Sequence, residues 1–384
     1  MMDKPLEDIR VLDLSHVWFG PWCTMMLAEM GAEVIRVEPP WGGIDRLSQG
    51  KLFGGAPYTF HHLNLNKKDL TLNLKTPEGV EVFKELVKIS DVVVQNMSVG
   101  TMEKLGLSYN TLKEINPGII YAALSGFGQY GPYKDRKSYA MIAEAMSGHT
   151  RLTGDKVDPE GPPIEMAQAY GDLGPGSLAA MGIVAAIRYR DKTGKGQMLD
   201  VAQLDCMVAF NTALTLYNLS GMKPWELREK YPGGGVGGLY KTLDDRWIRV
   251  CAYSPKAVDS IREVMGEEEV DDEMIENWVA KRTREDALET LLEARLPVAP
   301  VYHVDETVMD PHLRERDMYV VVEHPKAGKI KVPNFPFKMS ETPGEVKTAA
   351  PLLGQHNHEI IVELLGKTED EYKELQKKGV ISYS

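Results

Sequence analysis

The chain has 384 residues, of which 43% are hydrophobic and 26% are charged, a balance typical of a soluble globular protein with two or three domains. Its 44 Lys and Arg against 56 Asp and Glu give a net charge of −12. This acidic balance argues against general nucleic-acid binding, but it is compatible with a small anionic ligand held by a local basic patch.

Short β-branched segments alternate with helical patterns through the N-terminal half. The sequence predicts strands at 9–15, 33–37, 91–95, 118–126 and 196–204, with helices at 21–30, 77–89, 111–115 and 173–190. Pro21 opens the first helix and Gly31 follows its end, as is usual at helix termini. Such alternation is typical of a parallel, doubly wound α/β sheet.

The character of the chain changes between about residues 223 and 281. A glycine cluster at 233–238 precedes a predicted strand at 246–253 and an acidic run at 267–273. This region is predicted to form a smaller α+β domain. Beyond it the chain is Pro-rich and extended at 297–304 and 329–337, and it ends in a predicted helical tail, 355–379.

The first strand–turn–helix has no nucleotide signature. Its turn reads SHVWFGPW at 15–22, without the G-x-G-x-x-G motif, and no P-loop motif occurs elsewhere. Two tryptophans and a phenylalanine would crowd a dinucleotide pyrophosphate, so neither NAD nor ATP is expected. Glu38, at the end of the second predicted strand, is interpreted as structural rather than as a ribose ligand.

The cysteines and histidines form no metal or disulfide pattern. Three dispersed cysteines are typical of a reduced cytoplasmic protein, and neither a signal peptide nor a membrane span is predicted. The histidine pairs 61/62 and 356/358 are expected at turns or on the surface, without a metal. Cys23 is expected in the core.

Asp172 is the remaining candidate for chemistry. It lies where a loop enters a predicted helix, between Gly171, Gly174 and Gly176. An aspartate in that position is ordinarily a helix N-cap. The glycines, however, would leave a carboxylate open to a bulky electrophile, and a carboxylate can act as a covalent nucleophile. The residues alone leave both interpretations open.

Several long blocks, in order, resemble the class III coenzyme A-transferases of the formyl-CoA and carnitine CoA-transferase type. They include VLDLSHVWFGPWCTMMLAEMGAEVIRVEPP, NLNLNKKDLTLNLKTPEG, DVVVQNMSVGTMEKLGLSY, INPGIIYAALSGFGQYGPY, the GDLGPG block and RYRDKTGKGQMLDVAQLD. PVAPVYHVDETVMDPHLRERDMYVVVEHP and TAAPLLGQHNHEII complete the resemblance, which covers nearly the whole chain.

The resemblance implies a fold and a chemistry. It implies two interlocked chains, each with a large Rossmann-like domain and a small one: 1–222 and 311–384 form the large domain, and 223–310 the small one. It implies that Asp172 attacks a CoA thioester to give a mixed anhydride and then an aspartyl-CoA thioester, with water excluded. The substrates would be an acyl-CoA, such as succinyl-CoA, and a carboxylic acid, with no metal and no NAD.

Further residues match the family position by position. The resemblance implies a CoA-binding role for His16, Phe19, Leu72, Lys75, Asn96, Lys104 and Lys137, where the lysines would meet the phosphates. Lys104 replaces a usual arginine and so loses bidentate geometry. Trp18, Tyr139, Gly233, Gly234 and Gly235 match positions near the reacting aspartate. The glycines would form a lid or an ordinary turn.

Departures from the family bear on the substrate. Trp18 replaces a small polar residue of formyl-CoA transferase, and with Phe19 and Trp22 it favours an apolar or aromatic acid, unless these rings belong to the core. A racemase of the same fold would need a histidine where Tyr139 stands, and tyrosine is a poor base near neutral pH. A non-catalytic CoA-binding subunit beside an active paralogue is the other alternative to a homodimeric enzyme.

Overall fold

The computed structural model describes residues 4–47, 52–230 and 235–383. The chain divides into two compact units, Met1–Thr212 with Met318–Ser384, and Ala213–Asp317. The first unit is therefore built from both ends of the chain, and the second is a continuous insertion.

A six-stranded parallel sheet forms the centre of the first unit. Its strands, in chain order, are Arg10–Asp13, Glu33–Glu38, Lys67–Thr71, Val92–Gln95, Ile120–Ser125 and Met198–Ala202. Their order across the sheet is third, second, first, fourth, fifth and sixth, and every neighbouring pair is parallel. The chain thus builds outward from the first strand and then reverses direction, which confirms the predicted doubly wound α/β sheet.

Both faces of this sheet are buried. Leu12, Ile35 and Val93 belong to one apolar cluster, whereas their chain neighbours Val11 and Val34 belong to another. Successive residues of a strand point to opposite faces, so two clusters that share the same strands must lie on opposite sides of the sheet. Helices cover both sides.

Two helices beside the sheet each contribute one residue, Phe19 or Asp172, to the same pocket. Phe19–Glu29 follows the first strand, and the 24-residue helix Tyr170–Thr193 packs against it. The long helix ends at Gly194, which has a φ of 71° that an L-residue with a side chain rarely adopts. The other helices in the N-terminal part of this unit are Ile44–Leu47, Tyr58–Leu63, Pro77–Lys88, Thr101–Lys104, Tyr109–Ile115, Ala140–Met146, His149–Val157 and Gln203–Phe210.

The C-terminal part of the first unit differs from the predicted single helical tail. It contains an antiparallel hairpin of Tyr319–His324 and Gly328–Pro333, then a π-helix, Glu359–Leu364, and an α-helix, Glu369–Lys377. Gly366, with a φ of 71°, separates the two helices, and Thr368 caps the second. A short strand pair, Leu52–Phe53 with Ala56–Pro57, also lies in this unit.

The second unit is a small α+β assembly. Trp247–Val250 is the central strand of an antiparallel sheet, flanked by Leu239–Lys241 and Val298–Pro300. Its helices are Pro224–Lys230, Pro255–Met265, Asp272–Val279, Arg284–Glu293, Val304–Met309 and Pro311–Glu315; Thr212–Ser220 connects to it from the first unit. Across the described ranges of both units, no helix combines the length and the apolar character needed to cross a bilayer.

Candidate active site

The turn after the first strand is held by a buried carboxylate. Asp13 accepts hydrogen bonds from the backbone N–H of Ser15 at 2.9 Å and from Thr24 Oγ1 at 2.6 Å, and it pairs with Lys67 Nζ at 3.0 Å. All four side chains are buried. This network fixes the direction of the chain between the first strand and the helix Phe19–Glu29. Residues 16–18 therefore lie beyond the carboxyl end of that strand.

The turn is hydrogen-bonded to Asn96, the residue that follows the neighbouring fourth strand. The Asn96 amide accepts from the His16 backbone N–H at 3.0 Å and donates to the His16 carbonyl at 2.8 Å. The first and fourth strands are where the strand order reverses, and crevices that bind ligands in open α/β sheets lie outside the carboxyl ends of the strands at such points. The sheet topology therefore places a crevice beside His16 and Asn96.

Val17 has a strained backbone in this crevice. Its φ is 71°, which is a rare conformation for a β-branched residue and costs about 1–3 kcal/mol. The strain turns the chain sharply between His16 and Trp18, and all three residues line the same pocket. Burial lowers the pKa of His16, so its imidazole is neutral near pH 7.

Asp172 lines this pocket. It is in the first turn of Tyr170–Thr193, where Ala169 is the N-cap, so Asp172 is not the capping residue. Only 7% of Asp172 is exposed, and the pocket is also lined by His16, Trp18, Phe19, Asn96, Tyr139 and Gln203.

Contacts at the glycines around Asp172 correct the sequence interpretation. A Cβ on Gly171 would lie 2.4 Å from the Ala140 carbonyl oxygen, and one on Gly174 would lie 2.7 Å from the Phe210 ring. A Cβ on Gly176 would meet the Phe19 carbonyl oxygen at 2.8 Å. These glycines permit close packing of the helix against its neighbours, instead of clearing a path for an electrophile.

Two polar side chains set the environment of the Asp172 carboxyl group. The pKa of Asp172 is raised to about 7, chiefly by burial. The Gln203 amide donates a hydrogen bond to Oδ1 and opposes this rise, whereas the nearby charge of Glu144 contributes to it. Glu144 is itself buried and accepts a hydrogen bond from the Gly171 backbone N–H at 2.8 Å. Near neutral pH a large fraction of Asp172 is therefore a poorly solvated carboxylate, the reactive form of such a nucleophile.

A basic groove continues from the Asp172 pocket. The two share His16, Val17, Asn96, Ser125, Gly126, Ser138 and Tyr139. The groove, unlike the pocket, is also lined by Lys134, Arg136 and Lys137, with one carboxylate, Asp135, among them. A pocket that holds a buried carboxylate, joined to a groove lined by three cations, suits a ligand that carries both a reactive group and a separate anionic group.

The chain matches the model of CoA-transferase family III over residues 6–357. The chain belongs to this family. It is 34% identical to the succinyl-CoA–D-citramalate CoA-transferase of Chloroflexus aurantiacus, over 98% of each chain. It is also 34% identical to the formyl-CoA:oxalate CoA-transferase of Streptomyces avermitilis, over 99% of this chain and 100% of that protein. A solved CAIB/BAIF family protein from Brucella suis aligns with a TM-score of 0.82 and 27% identity, over 94% of this chain and 100% of the other.

The structure brings together most of the residues that the family resemblance singles out. His16, Trp18, Phe19, Asn96, Tyr139 and Asp172 line one pocket, and Lys137 lines the adjoining groove. Trp22 does not join them, because its indole N–H donates to Ser177 Oγ at 2.9 Å and its ring stacks on His62. Trp22 therefore gives no support to an aromatic acyl pocket.

Three of the expected CoA-binding residues lie outside this pocket and groove. Leu72 is 1% exposed and belongs to the apolar core of the sheet. Lys75 is exposed, with Nζ 5.9 Å from the centre of the Trp41 ring, and Lys104 is exposed at the end of the helix Thr101–Lys104. Gly233 and Gly234 lie outside the described residues, and Gly235 belongs to the second unit, where its Cα faces the Tyr253 backbone.

The histidines and Cys23 have structural contacts. His61, expected at a turn or on the surface, is buried: its Nε2 lies 2.7 Å from the Phe53 carbonyl oxygen, and its ring meets His324 edge-on. Cys23 is buried, as predicted. In the parts of the chain that the structure describes, no group of three or more His, Cys, Asp or Glu is arranged to hold a metal ion.

Glu38 has the structural role assigned from the sequence. It pairs with Arg46 at 2.6 Å and accepts from the Gly43 backbone N–H at 2.5 Å. Sequence reasoning missed Gln203 and Glu144, as well as Lys134 and Arg136. Gln203 gave no signal of its own, because it lies within the predicted strand 196–204; in the structure that strand ends at Ala202, and Gln203 is the first residue of the following helix.

Proposed function

We propose that this CoA-transferase moves CoA from a thioester donor such as succinyl-CoA to a carboxylic acid through covalent intermediates on Asp172. The observation that carries the proposal is a buried carboxylate, with its pKa raised to about 7, in the lining of a pocket that adjoins a basic groove. Lys134, Arg136 and Lys137 would bind the phosphates of CoA, while the thioester reaches Asp172 past His16 and Asn96.

The proposed transfer proceeds in four steps. The carboxylate of Asp172 attacks the thioester carbonyl and expels CoA thiolate, which leaves a mixed anhydride. The thiolate attacks Cγ of Asp172 and expels the donor as a carboxylate, which leaves an aspartyl-CoA thioester. The acceptor acid then attacks Cγ and expels the thiolate, and the thiolate attacks the acceptor carbonyl, releasing the new thioester and free Asp172.

Burial serves two purposes in these steps. A carboxylate with few water contacts is a stronger nucleophile, and an anhydride shielded from water keeps the energy of the thioester. Asp172 is 7% exposed and Gln203 is 4% exposed, so the reacting carbon lies in a largely dry environment.

The acceptor that we favour is an apolar or aromatic carboxylic acid. No lysine or arginine is among the described residues that line the Asp172 pocket, and His16 is neutral near pH 7. Trp18 offers an apolar surface in the lining of this pocket, against which an apolar or aromatic acid could pack. The names of relatives that act on citramalate or oxalate favour the second candidate, a dicarboxylic acid.

Covalent trapping tests the transferase proposal. The protein is incubated with succinyl-CoA, treated with hydroxylamine or borohydride, and digested for mass spectrometry. Modification should fall on Asp172, and Asp172→Ala should abolish both labelling and transfer, while Asp205→Asn, on an exposed neighbour of the site, should retain both. A racemase would instead exchange an α-proton with deuterated water and leave Asp172 unlabelled, and a non-catalytic subunit would do neither.

A panel of acceptors tests the acid class. With succinyl-CoA as donor, aromatic and branched aliphatic acids should be used faster than oxalate or citramalate, and Trp18→Gln should reduce that preference. Equal or faster transfer to the dicarboxylates by the unmodified protein would refute the apolar assignment and leave the transferase chemistry intact.

We further propose that the chain acts as a dimer of the interlocked family type. The helix Tyr170–Thr193 supports this, because Met181, Val184 and Tyr189 on it are 64%, 37% and 47% exposed. Apolar side chains along one helix that bears the nucleophile are candidates for burial by a second copy. Light scattering of the purified protein should give the mass of two identical chains, and Met181→Glu should lower that mass. If the protein instead forms a two-chain species only after it is mixed with a paralogue, it is a heteromer.

A further inference from the structure

The hydrogen bond from Gln203 to Asp172 has a consequence beyond holding the nucleophile, provided that the proposed aspartyl chemistry is correct. Gln203 is the first residue of the helix Gln203–Phe210, directly after the sheet strand Met198–Ala202. The next backbone N–H, that of Leu204, donates to the Gly126 carbonyl at 3.1 Å. Gln203 is thereby fixed by the sheet itself, and its amide points at Oδ1 of Asp172.

We infer that Gln203 is the hydrogen-bond donor that stabilises the oxyanion formed on Asp172 when CoA thiolate or the acceptor acid attacks its carbonyl carbon. With Oδ1 engaged by Gln203, the other oxygen, Oδ2, attacks the thioester and becomes the bridging atom of the anhydride. Oδ1 is then the carbonyl oxygen of both covalent intermediates, and Gln203 already contacts it.

The charge movement follows from the four steps. When thiolate attacks the anhydride at Cγ, the S–Cγ bond forms and the electron pair of the C=O bond moves onto Oδ1. That pair returns as the bond from Cγ to the donor carboxylate breaks. Attack by the acceptor on the aspartyl thioester places charge on the same oxygen, while the other two steps place it on a substrate oxygen that Gln203 does not bond.

A donor that acts in only two of four steps leaves a distinctive kinetic pattern. The loss of one oxyanion donor slows a step by about 100-fold or more. Without the Gln203 amide, the anhydride should still form, but thiolate should capture it slowly. In a variant that lacks the Gln203 amide, Asp172 should therefore carry mostly the donor acyl group, whereas in the unmodified protein it should carry mostly CoA.

The variants Gln203→Met and Gln203→Glu test this inference. Methionine keeps the length and the unbranched shape without a donor, and glutamate keeps the shape while replacing the donor with an acceptor. Asp205→Asn is the matched control on the same helix. Each protein is mixed with succinyl-CoA, quenched in acid within the first turnovers, and analysed by intact mass for acyl and CoA adducts on Asp172, with free CoA thiol measured in parallel.

For Gln203→Met we expect transfer to fall about 100-fold, the acyl adduct to replace the CoA adduct, and free CoA thiol to rise with it. Loss of the hydrogen bond should also move the acid limb of the kcat/KM profile to higher pH. Gln203→Glu should show the same adduct pattern. A role in folding alone would lower both adducts equally and leave the pH profile in place, as would a role in CoA binding.

Two different results would contradict the aspartyl mechanism and the oxyanion role of Gln203, so the same experiment distinguishes them. No adduct on Asp172 in the unmodified protein would overturn the aspartyl mechanism itself. Adducts on Asp172 with the same acyl-to-CoA ratio in the unmodified, Gln203→Met and Gln203→Glu proteins would overturn only the role of Gln203.

Discussion

Replacement of Asp172 by asparagine should stabilise the protein while it abolishes transfer, and the gain should depend on pH. The pKa of Asp172 is about 7 in the folded state and 3.8 in the reference state of an unfolded chain. A difference of about three pKa units corresponds to roughly 4 kcal/mol, an upper limit because asparagine also pays for burial.

The sign follows from proton binding. Below about pH 4 the carboxyl group is protonated in both states, and its ionisation costs the fold nothing. Between about pH 4 and pH 7 the unfolded chain has released this proton while the folded protein still holds it, so the unmodified protein loses stability as the pH rises; above about pH 7 both states are ionised and the loss is complete. Asp172→Asn lacks this loss, and its advantage should grow between about pH 4 and pH 7 and then level off.

Urea unfolding followed by tryptophan fluorescence measures the effect. The difference in unfolding free energy between Asp172→Asn and the unmodified protein should be larger near pH 8 than near pH 5, by roughly 3 kcal/mol at most. Asp205→Asn, an exposed carboxylate on the adjacent helix, should show no such trend. A difference that stays constant across this range would refute the raised pKa and, with it, the picture of a desolvated nucleophile.

Other changes have equally specific expectations. Glu144→Gln removes a charge that raises the pKa of Asp172, so the acid limb of the kcat/KM profile should move to lower pH, which a pH series will show. Lys137→Ala should raise KM for the acyl-CoA and weaken the salt dependence of KM, with kcat little changed. Gly171→Ala places a methyl group 2.4 Å from the Ala140 carbonyl oxygen, so thermal unfolding should occur several degrees lower; an unchanged midpoint would show that the helix can shift.

The parallel sheet was predictable because its signal is local. Buried parallel strands form near-continuous apolar segments, and the helices between them show their own periodicity and end signals. The tail at 355–379 was predicted less well. Gly366 adopts a left-handed conformation that divides the helical pattern, and a glycine within such a pattern does not reveal by itself whether the helix stops there.

The candidate site was only partly predictable, because its decisive contacts join distant parts of the chain. Asp172 could be separated from a helix cap only by family resemblance, since residue type and position fit both roles. Gln203 contacts Asp172 because the strand before it, Met198–Ala202, pairs with Ile120–Ser125 in the central sheet. No local sequence pattern marks that contact. The glycines around Asp172 were misinterpreted for the same reason: their close contacts are with Ala140, Phe210 and Phe19.

The most direct test of the central claim is the mass of the Asp172 peptide after the protein has been mixed with succinyl-CoA and quenched within the first turnovers. The account predicts a CoA or succinyl adduct on Asp172 that hydroxylamine removes and that disappears when an acceptor acid is added in excess. Steady transfer of CoA with Asp172 unmodified at every time of quenching, or with Asp172→Ala still active, would contradict it.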